Sequence, residues 1–276
     1  MERGAERVKV WILGTGSNGN AVLVEGDGTR VLIDAGFGPR TLATRLKAAC
    51  VDPSSIDACL LTHDHSDHVS GVAKAARRWG WAVFATAGTI QCPALADVSV
   101  TPLPVGEPMR IDGLEITALP IPHDATEPVG FLATSVSTGA RASICYDIGH
   151  VNENVRTLCR ESDVLVLEAN HDEGMLWAGP YPPWLCQRIA GKDGHLSNRV
   201  AGALARDSVT ARTAHVVLAH LSQQNNTPEM ARSALRSALR GTAFRGKLTT
   251  ATQDTVIGPF MPRGGRVEDP RQYSLF

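Results

Sequence analysis

The chain has no apolar N-terminal stretch of the kind that directs export; its opening, MERGAERVKVW, is charged instead. No apolar run approaches the length of a membrane span, so no membrane association is expected. Neither sign of charge dominates. With 27 Lys and Arg against 28 Asp and Glu, the formal charge of −1 supplies no general basic field, and any contact with nucleic acid must come from a local patch. Cys-x-x-Cys pairs are missing too. The six cysteines (Cys50, Cys59, Cys92, Cys145, Cys159 and Cys186) are scattered. Without an export signal they are expected to be reduced thiols in a cytoplasmic protein.

What is present is enough for a sizeable core: 276 residues, 43% of them hydrophobic and 20% charged. Short β-rich runs fill both halves, from VKVWIL, AVLVE, RVLID, ACLLT and WAVFAT to LEITALPI, GFLATSV, RASICYD, DVLVLEA and HVVLAHLS. Helical patterns separate them at 41–49, 71–79, 152–160 (after Asn152 as N-cap), 195–206 and 227–240. The last opens with Thr227 as N-cap and Pro228 at the first helical position. Strand clusters in each half with helices between them predict two sheets packed face to face with helices outside. Residues 1–260 read as one domain and 261–276, rich in Gly, Pro and charge, as a tail.

One pattern misleads. GTGSNG at 14–19 matches the glycine fingerprint of dinucleotide binding, and Asp34 lies about twenty residues on. That fingerprint must open a helix, whose N-terminus holds the pyrophosphate. Here AVLVEGDG follows, a strand and a hairpin, so the glycines are expected to form a tight turn beside the site.

The chemistry concentrates in LTHDHSDHV at 61–69. His63, His65, Asp67 and His68 fall within six residues, and imidazole and carboxylate are the ligands of Zn²⁺ or Mn²⁺ sites. The motif lies between a strand and a helix. In a loop, His63 and His65 can point one way while Asp67 and His68 point another, which suits two metals roughly 3.5–4 Å apart. Further ligands are expected where later apolar runs end: His123, Asp147 and His220. His215 starts its strand instead and is read as an ordinary residue.

Asp34 in LIDAG, the His-x-His-x-Asp-His motif, His123, Asp147 and His220, in that order, resemble the metallo-β-lactamase fold of hydrolases, an α/β αββα sandwich. Within that superfamily THDHSDH, EPVGF, YDIGH, LEANHD, GHLSN and LAHLSQQNNTPE resemble the WalJ/YycJ-type bacterial nucleases, relatives of RNase Z implicated in 5′→3′ exonuclease activity on DNA. The glycine loop departs from the pattern at Thr15 and Asn18, outside the ligand set. The resemblance implies one metal on His63, His65 and His123 and a second on Asp67, His68 and His220, with Asp147 bridging and Asp34 orienting ligands from behind. A water between two cations would lose its proton near neutral pH and become the nucleophile. GHLSN resembles the stretch that carries a catalytic histidine in RNase Z-like phosphodiesterases. His195 is then the acid for the leaving group, Ser197 the cap of the helix behind it, and Glu168 the partner that keeps His195 protonated. His150 and His171 have no assigned duty, and Asn225 and Asn226 are expected to hold the loop or touch substrate.

Among relatives, an RNase J-type second domain has no room between Asp147 and His220, and no Gly/Pro-rich arm of the RNase Z kind is apparent. One main helix and a tail follow His220, unlike the helical domain of a glyoxalase II-like thioesterase. A β-lactamase would normally be exported. A small cyclic phosphodiesterase, an RNase Z-like RNA nuclease and a non-enzymatic metal-binding domain stay open. For DNA, MLWAGPYPPWLCQRIAGK at 175–192 sets Trp177, Tyr181 and Trp184 among prolines ahead of Arg188 and Lys192. That composition suits stacking and phosphate contact with a single strand, or a loop packed on the core by its tryptophans. Gln272, Tyr273, Ser274, Leu275 and Phe276 resemble the peptide by which bacterial replication and repair proteins bind the sliding clamp, with Tyr273 departing from a Leu position.

Overall fold

Alternation along the strands sets the architecture. In the first strand Val10 and Ile12 face one way and Trp11 and Leu13 the other, and all four are buried. A strand covered on both faces must lie between two further layers. The structure is a computed structural model and describes residues 8–263. Strands β1 (Lys9–Gly14), β2 (Ala21–Gly26), β3 (Thr29–Ile33), β4 (Ala58–Leu60), β5 (Ala82–Ala85) and β6 (Val100–Pro102) build the first sheet. Strands β7 (Pro108–Ile111), β8 (Leu114–Pro120), β9 (Val129–Ser135), β10 (Arg141–Cys145), β11 (Val164–Glu168), β12 (His215–Ala219) and β13 (Lys247–Thr250) build the second. Strand β14 (Ile257–Phe260) returns to the first sheet beside β1.

The order is β14-β1-β2-β3-β4-β5-β6 in one sheet and β13-β12-β11-β10-β9-β8-β7 in the other. Each begins antiparallel and turns parallel, at β3–β4 and at β10–β11. Val10, Val22, Val31 and Leu60 of one sheet meet Ile116, Phe131, Ile144 and Val166 of the other in a central apolar layer.

Helices cover the outer faces: α1 (Pro39–Ala48), α2 (Ser66–Val69), α3 (Val72–Trp79) and α4 (Ala87–Ile90) in the first half. In the second half come α5 (Glu153–Arg160), α6 (Glu173–Ala178), α7 (Pro183–Ile189), α8 (Asn198–Ser208) and α9 (Pro228–Ala238). Leu42 and Leu46 of α1, with Val72 and Ala75 of α3, pack on Leu23, Leu32 and Cys59. Val155, Leu158, Leu204 and Leu235 do the same on Leu165, Leu167 and Leu218. The fold is therefore the αββα sandwich. Asn152, Ser197 and Thr227 each cap a helix by accepting from the N–H three residues on.

Several features differ from the expectation. After α9 the chain is not a plain tail: β13 extends the second sheet and β14 crosses back to the first. Both are four residues long, and KLTT, mostly polar, and IGPF, with Gly and Pro at its centre, are too short and too weakly patterned to announce strands. β6 and β7, three and four residues long, have equally little pattern. The segment 175–192 holds α6 and α7 in place of an extended Pro-rich loop; Pro183, at the first position of α7, starts a helix. No helix among the described residues is long and apolar enough to cross a membrane. Gln272, Tyr273, Ser274, Leu275 and Phe276 lie outside the described residues.

Candidate metal centre

The parallel strands deliver their C-terminal ends to one rim between the sheets, where open α/β sheets hold their ligands. β3 ends at Ile33 and hands on Asp34; β4 is followed by Leu61, Thr62 and His63; β10 by Tyr146 and Asp147; β11 ends on Glu168; β12 is followed by His220. Asp34, Asp147 and His220 have φ of 61°, 57° and 53°. Non-glycine residues in the left-handed region store strain, and such strain concentrates where function over-determines the backbone. The His63–His68 stretch is not wholly a loop. Its second half winds into α2, a single helical turn that carries Asp67 and His68 away from the extended His63 and His65.

Each histidine of the cluster has one ring nitrogen committed to the protein. His63 Nδ1 donates to Thr62 Oγ1 at 3.0 Å, and that hydroxyl donates in turn to Asp34 Oδ2 at 2.8 Å. His68 Nδ1 donates to Asp34 Oδ2 at 2.7 Å and His123 Nδ1 to the Gly194 carbonyl at 3.0 Å. His220 Nδ1 donates to Glu168 Oε1 at 3.2 Å, and His65 Nε2 to the Asp124 carbonyl at 3.2 Å. These contacts fix the tautomers and leave the opposite nitrogens as lone-pair donors.

The donors converge. Ligand atoms of His63, His65 and His123 lie within 4.8 Å of one another, as do those of Asp67, His68 and His220, and those of His63, His68 and Asp147. Asp147, at 3.1 Å from His68 Nε2 and 3.8 Å from His123 Nε2, adjoins both sets. His63 Nε2 and His220 Nε2 are buried with no hydrogen-bond partner. Buried polar atoms are seldom left so, and nitrogens turned toward carboxylates suit a divalent cation. The residues present therefore fit divalent metal ions.

Electrostatics point the same way. Burial opposes charge on His68, yet the neighbouring Asp34 and Asp147 carboxylates raise its pKa well above the ordinary histidine value. His220, against the same burial, is pushed up to about 10, chiefly by Asp147. Burial would raise Asp147, but the charges of His220 and His68 hold it well below the carboxylate range. His63 is lowered, by burial first and then by the charge of His68. The carboxylates draw positive charge into the cluster, and a cation meets that demand while displacing the histidine protons.

Behind the ligands stands a network of ordinary polar residues. Asp34 is fully buried and accepts from the Thr62 N–H and hydroxyl, His68 Nδ1 and, at 2.7 Å, the Tyr146 hydroxyl. Asn20 Nδ2 donates to Asp67 Oδ2 at 3.1 Å, and the Asn20 N–H to the Asp67 carbonyl at 2.8 Å. Tyr146 and Asn20 carried no sequence signal beyond their place beside Asp147 and the glycine loop. That loop does form a turn next to the site, with Gly16 and Gly19 at φ of 138° and 142°, and β2 follows it.

His195 Nδ1 donates to Glu168 Oε1 at 2.8 Å and lies 3.4 Å from Asp147 Oδ1. Glu168 also accepts from the Ile148 and Leu196 N–H groups, at 2.9 and 3.0 Å. His150 and His171 line a cleft beside His195. Asn226 ties Ala169, Asn170 and Asn198 together, whereas Asn225 is buried without a side-chain partner. His215 packs edge-on against Phe260, away from the cluster. Trp177 and Trp184 do not pack on the core: they are 58% and 65% exposed. Arg188 is turned toward the cluster, its Nε donating to Asp124 Oδ2 at 2.6 Å, while Asp124 Oδ1 lies 3.3 Å from His123 Nε2.

Comparison with known proteins accords with this geometry. The family model described as beta-lactamase superfamily domain matches residues 29–221. Exodeoxyribonuclease YycJ of Bacillus anthracis is 29% identical over 238 residues, spanning 84% of this chain and 89% of that protein. Exodeoxyribonuclease WalJ of Streptococcus pneumoniae is 30% identical over 238 residues, 84% of this chain and 88% of its own. The solved metallo-β-lactamase-fold protein YhfI of Bacillus subtilis superposes with a TM-score of 0.69 at 19% identity, covering 91% of this chain and 99% of that one.

Proposed function

This chain belongs to the beta-lactamase superfamily of metal-dependent hydrolases and, within it, to the YycJ/WalJ family, and from that membership we propose that it is a binuclear phosphodiesterase acting as a 5′→3′ exonuclease on DNA. The observation that carries the reading is the pairing of His195 with buried Glu168 on the edge of the ligand cluster. A domain that only bound metal would have no use for a proton donor left one-fifth exposed beside the ligands. Two divalent cations, Zn²⁺ or Mn²⁺, on His63, His65 and His123 and on Asp67, His68 and His220, with Asp147 shared, would neutralise phosphate oxygens and acidify a water near neutral pH.

The protein's own groups do the rest. Asp67, one-fifth exposed and steadied by Asn20, takes the proton of the attacking water. The water oxygen forms the new P–O bond, the bond to the leaving oxygen breaks, and that oxygen takes a proton from His195. Glu168 holds the His195 ring in place through its Nδ1. Asp34 keeps His68 turned inward. Exposed Trp177 and Trp184 supply stacking faces for a single strand, and Arg188, 57% exposed, offers its outer nitrogens to the phosphates. A reducing, cytoplasmic setting suits the six cysteines, all of them free thiols.

The test is digestion of end-labelled single- and double-stranded DNA and RNA with Mn²⁺ or Zn²⁺. Progressive shortening of DNA from the 5′ end is expected. Intact nucleic acid alongside hydrolysis of a cyclic nucleotide would overturn the nuclease reading in favour of a small-molecule phosphodiesterase, and preference for RNA would favour the RNase Z-like alternative. The sliding clamp is the proposed partner of Gln272–Phe276. Equal clamp binding by the full chain and by a chain ending at Arg271 would refute that tether.

A further inference from the structure

A cleft of about 330 Å³ opens beside His195, and neither His63 nor His65 is among its lining residues. Its volume lies at the small end of the range for sites that enclose one small organic group. Its walls are unlike one another. Trp177, on α6, presents an indole that is 58% exposed, a large apolar face left in water. His171, on the inner wall, is 2% exposed, and its Nδ1 has no hydrogen-bond partner. Between them Glu173 receives Arg199 Nε at 3.1 and 3.2 Å and the Ser197 hydroxyl at 2.8 Å, which makes a braced polar rim. His150 also lines it, fixed through Nδ1 to the Lys192 carbonyl at 2.8 Å.

Resting on the phosphodiesterase reading above, we propose that this cleft seats the leaving nucleoside, its base stacked on Trp177 and a polar base edge on His171. His195 connects the two functions. A group that protonates the departing oxygen must stand beside the fragment that carries that oxygen, and the cleft adjoining His195 is where this fragment comes to lie. A flat indole accepts any base, because every base has a π face, so the seat reads nucleoside class and not sequence. Trp184 and Arg188 are not among the residues that line it, so they contact other parts of the strand. The exposure of Trp177 is then a docking face waiting for its partner, and the His171 imidazole the polar group on the lining that a base edge meets.

The experiment is equilibrium dialysis of the metal-loaded full chain against radiolabelled dAMP and deoxyribose 5-phosphate. Both ligands carry the same phosphate and sugar, so contacts to the metals cancel in the ratio and only the base differs. In the wild type dAMP should bind roughly 5- to 150-fold more tightly than the base-free ligand, the range expected of one base–aromatic stack. In Trp177→Ala the ratio should fall to near one, and Trp177→Phe should restore most of it. Circular dichroism and metal content establish that each variant is folded and loaded. An equal ratio in wild type and Trp177→Ala, or no preference for dAMP in the wild type, overturns the proposal. The nuclease reading fails on a separate observation, intact labelled oligonucleotides, which leaves the dAMP ratio to decide the cleft by itself.

Discussion

Replacing Glu168 by Gln removes a charge with almost no change of shape, at a position where four donors meet. Oε2 accepts from the Ile148 and Leu196 N–H groups, and Oε1 from the ring N–H groups of His195 and His220. An amide has only one oxygen. If it keeps the two backbone donors, its NH₂ faces two imidazole N–H groups; if it flips, it opposes the backbone instead. Glu168 is fully buried, and burial by itself would raise its carboxyl, but the charge of His195 and then the hydrogen bonds of His195 and His220 lower it from the ordinary 4.5 to about 2. That preference for the charged form corresponds to about 3 kcal/mol. Because the folded value is depressed, the stabilisation is complete above about pH 4.5 and is lost as pH falls toward 2. Urea denaturation of the chelator-treated protein should show Glu168→Gln less stable than wild type by about 3 kcal/mol at pH 7, with the gap narrowing below about pH 4.5. On oligonucleotides kcat should drop by roughly 10²–10⁴, as for loss of the acid itself. A stability gap that stays the same from pH 7 to pH 3.5, or a variant as active as wild type, would refute the reasoning.

Three further outcomes follow from the same geometry. Elemental analysis should find about two divalent ions per chain, both lost in Asp147→Asn because that carboxylate adjoins both histidine sets; one ion in wild type, retained in the variant, would sink the binuclear reading. His195→Ala should keep its metal yet lose roughly 10²–10⁴ in kcat on DNA and much less on a nitrophenyl ester, whose leaving group needs no proton; equal losses on both would show that His195 is not the acid. Arg188→Ala frees Asp124 beside His123, but the pair is more than half exposed on the arginine side, so metal affinity measured by competing chelator should weaken only several-fold, with partial recovery in Arg188→Lys. A loss beyond 100-fold would make Arg188 more than a positioning residue.

Local grammar determined much of this protein by itself. The crowding of His63, His65, Asp67 and His68 needs no tertiary information, because ligands within six residues share a site in any fold that keeps the turn. Asn152, Ser197 and Thr227 announce their helices because a cap bonds a backbone group only three residues away. Apolar runs ending in His123, Asp147 and His220 carry the same kind of short-range information, since a buried strand leaves its next residue at the rim. Tertiary structure alone decided the rest. Asp34, Tyr146 and His68 meet across more than a hundred residues of chain, and nothing in a lone tyrosine marks it as the donor that steadies a ligand's partner. Arg188 reaches Asp124 across 64 residues, a pairing that depends on how α7 lies against the loop after β8. β14 finds β1 only because the sandwich has an open edge there, and its four residues have too little pattern of their own to be a strand without that partner. A contact between distant segments is set by the packing of the layers between them, and that packing is a property of the whole chain.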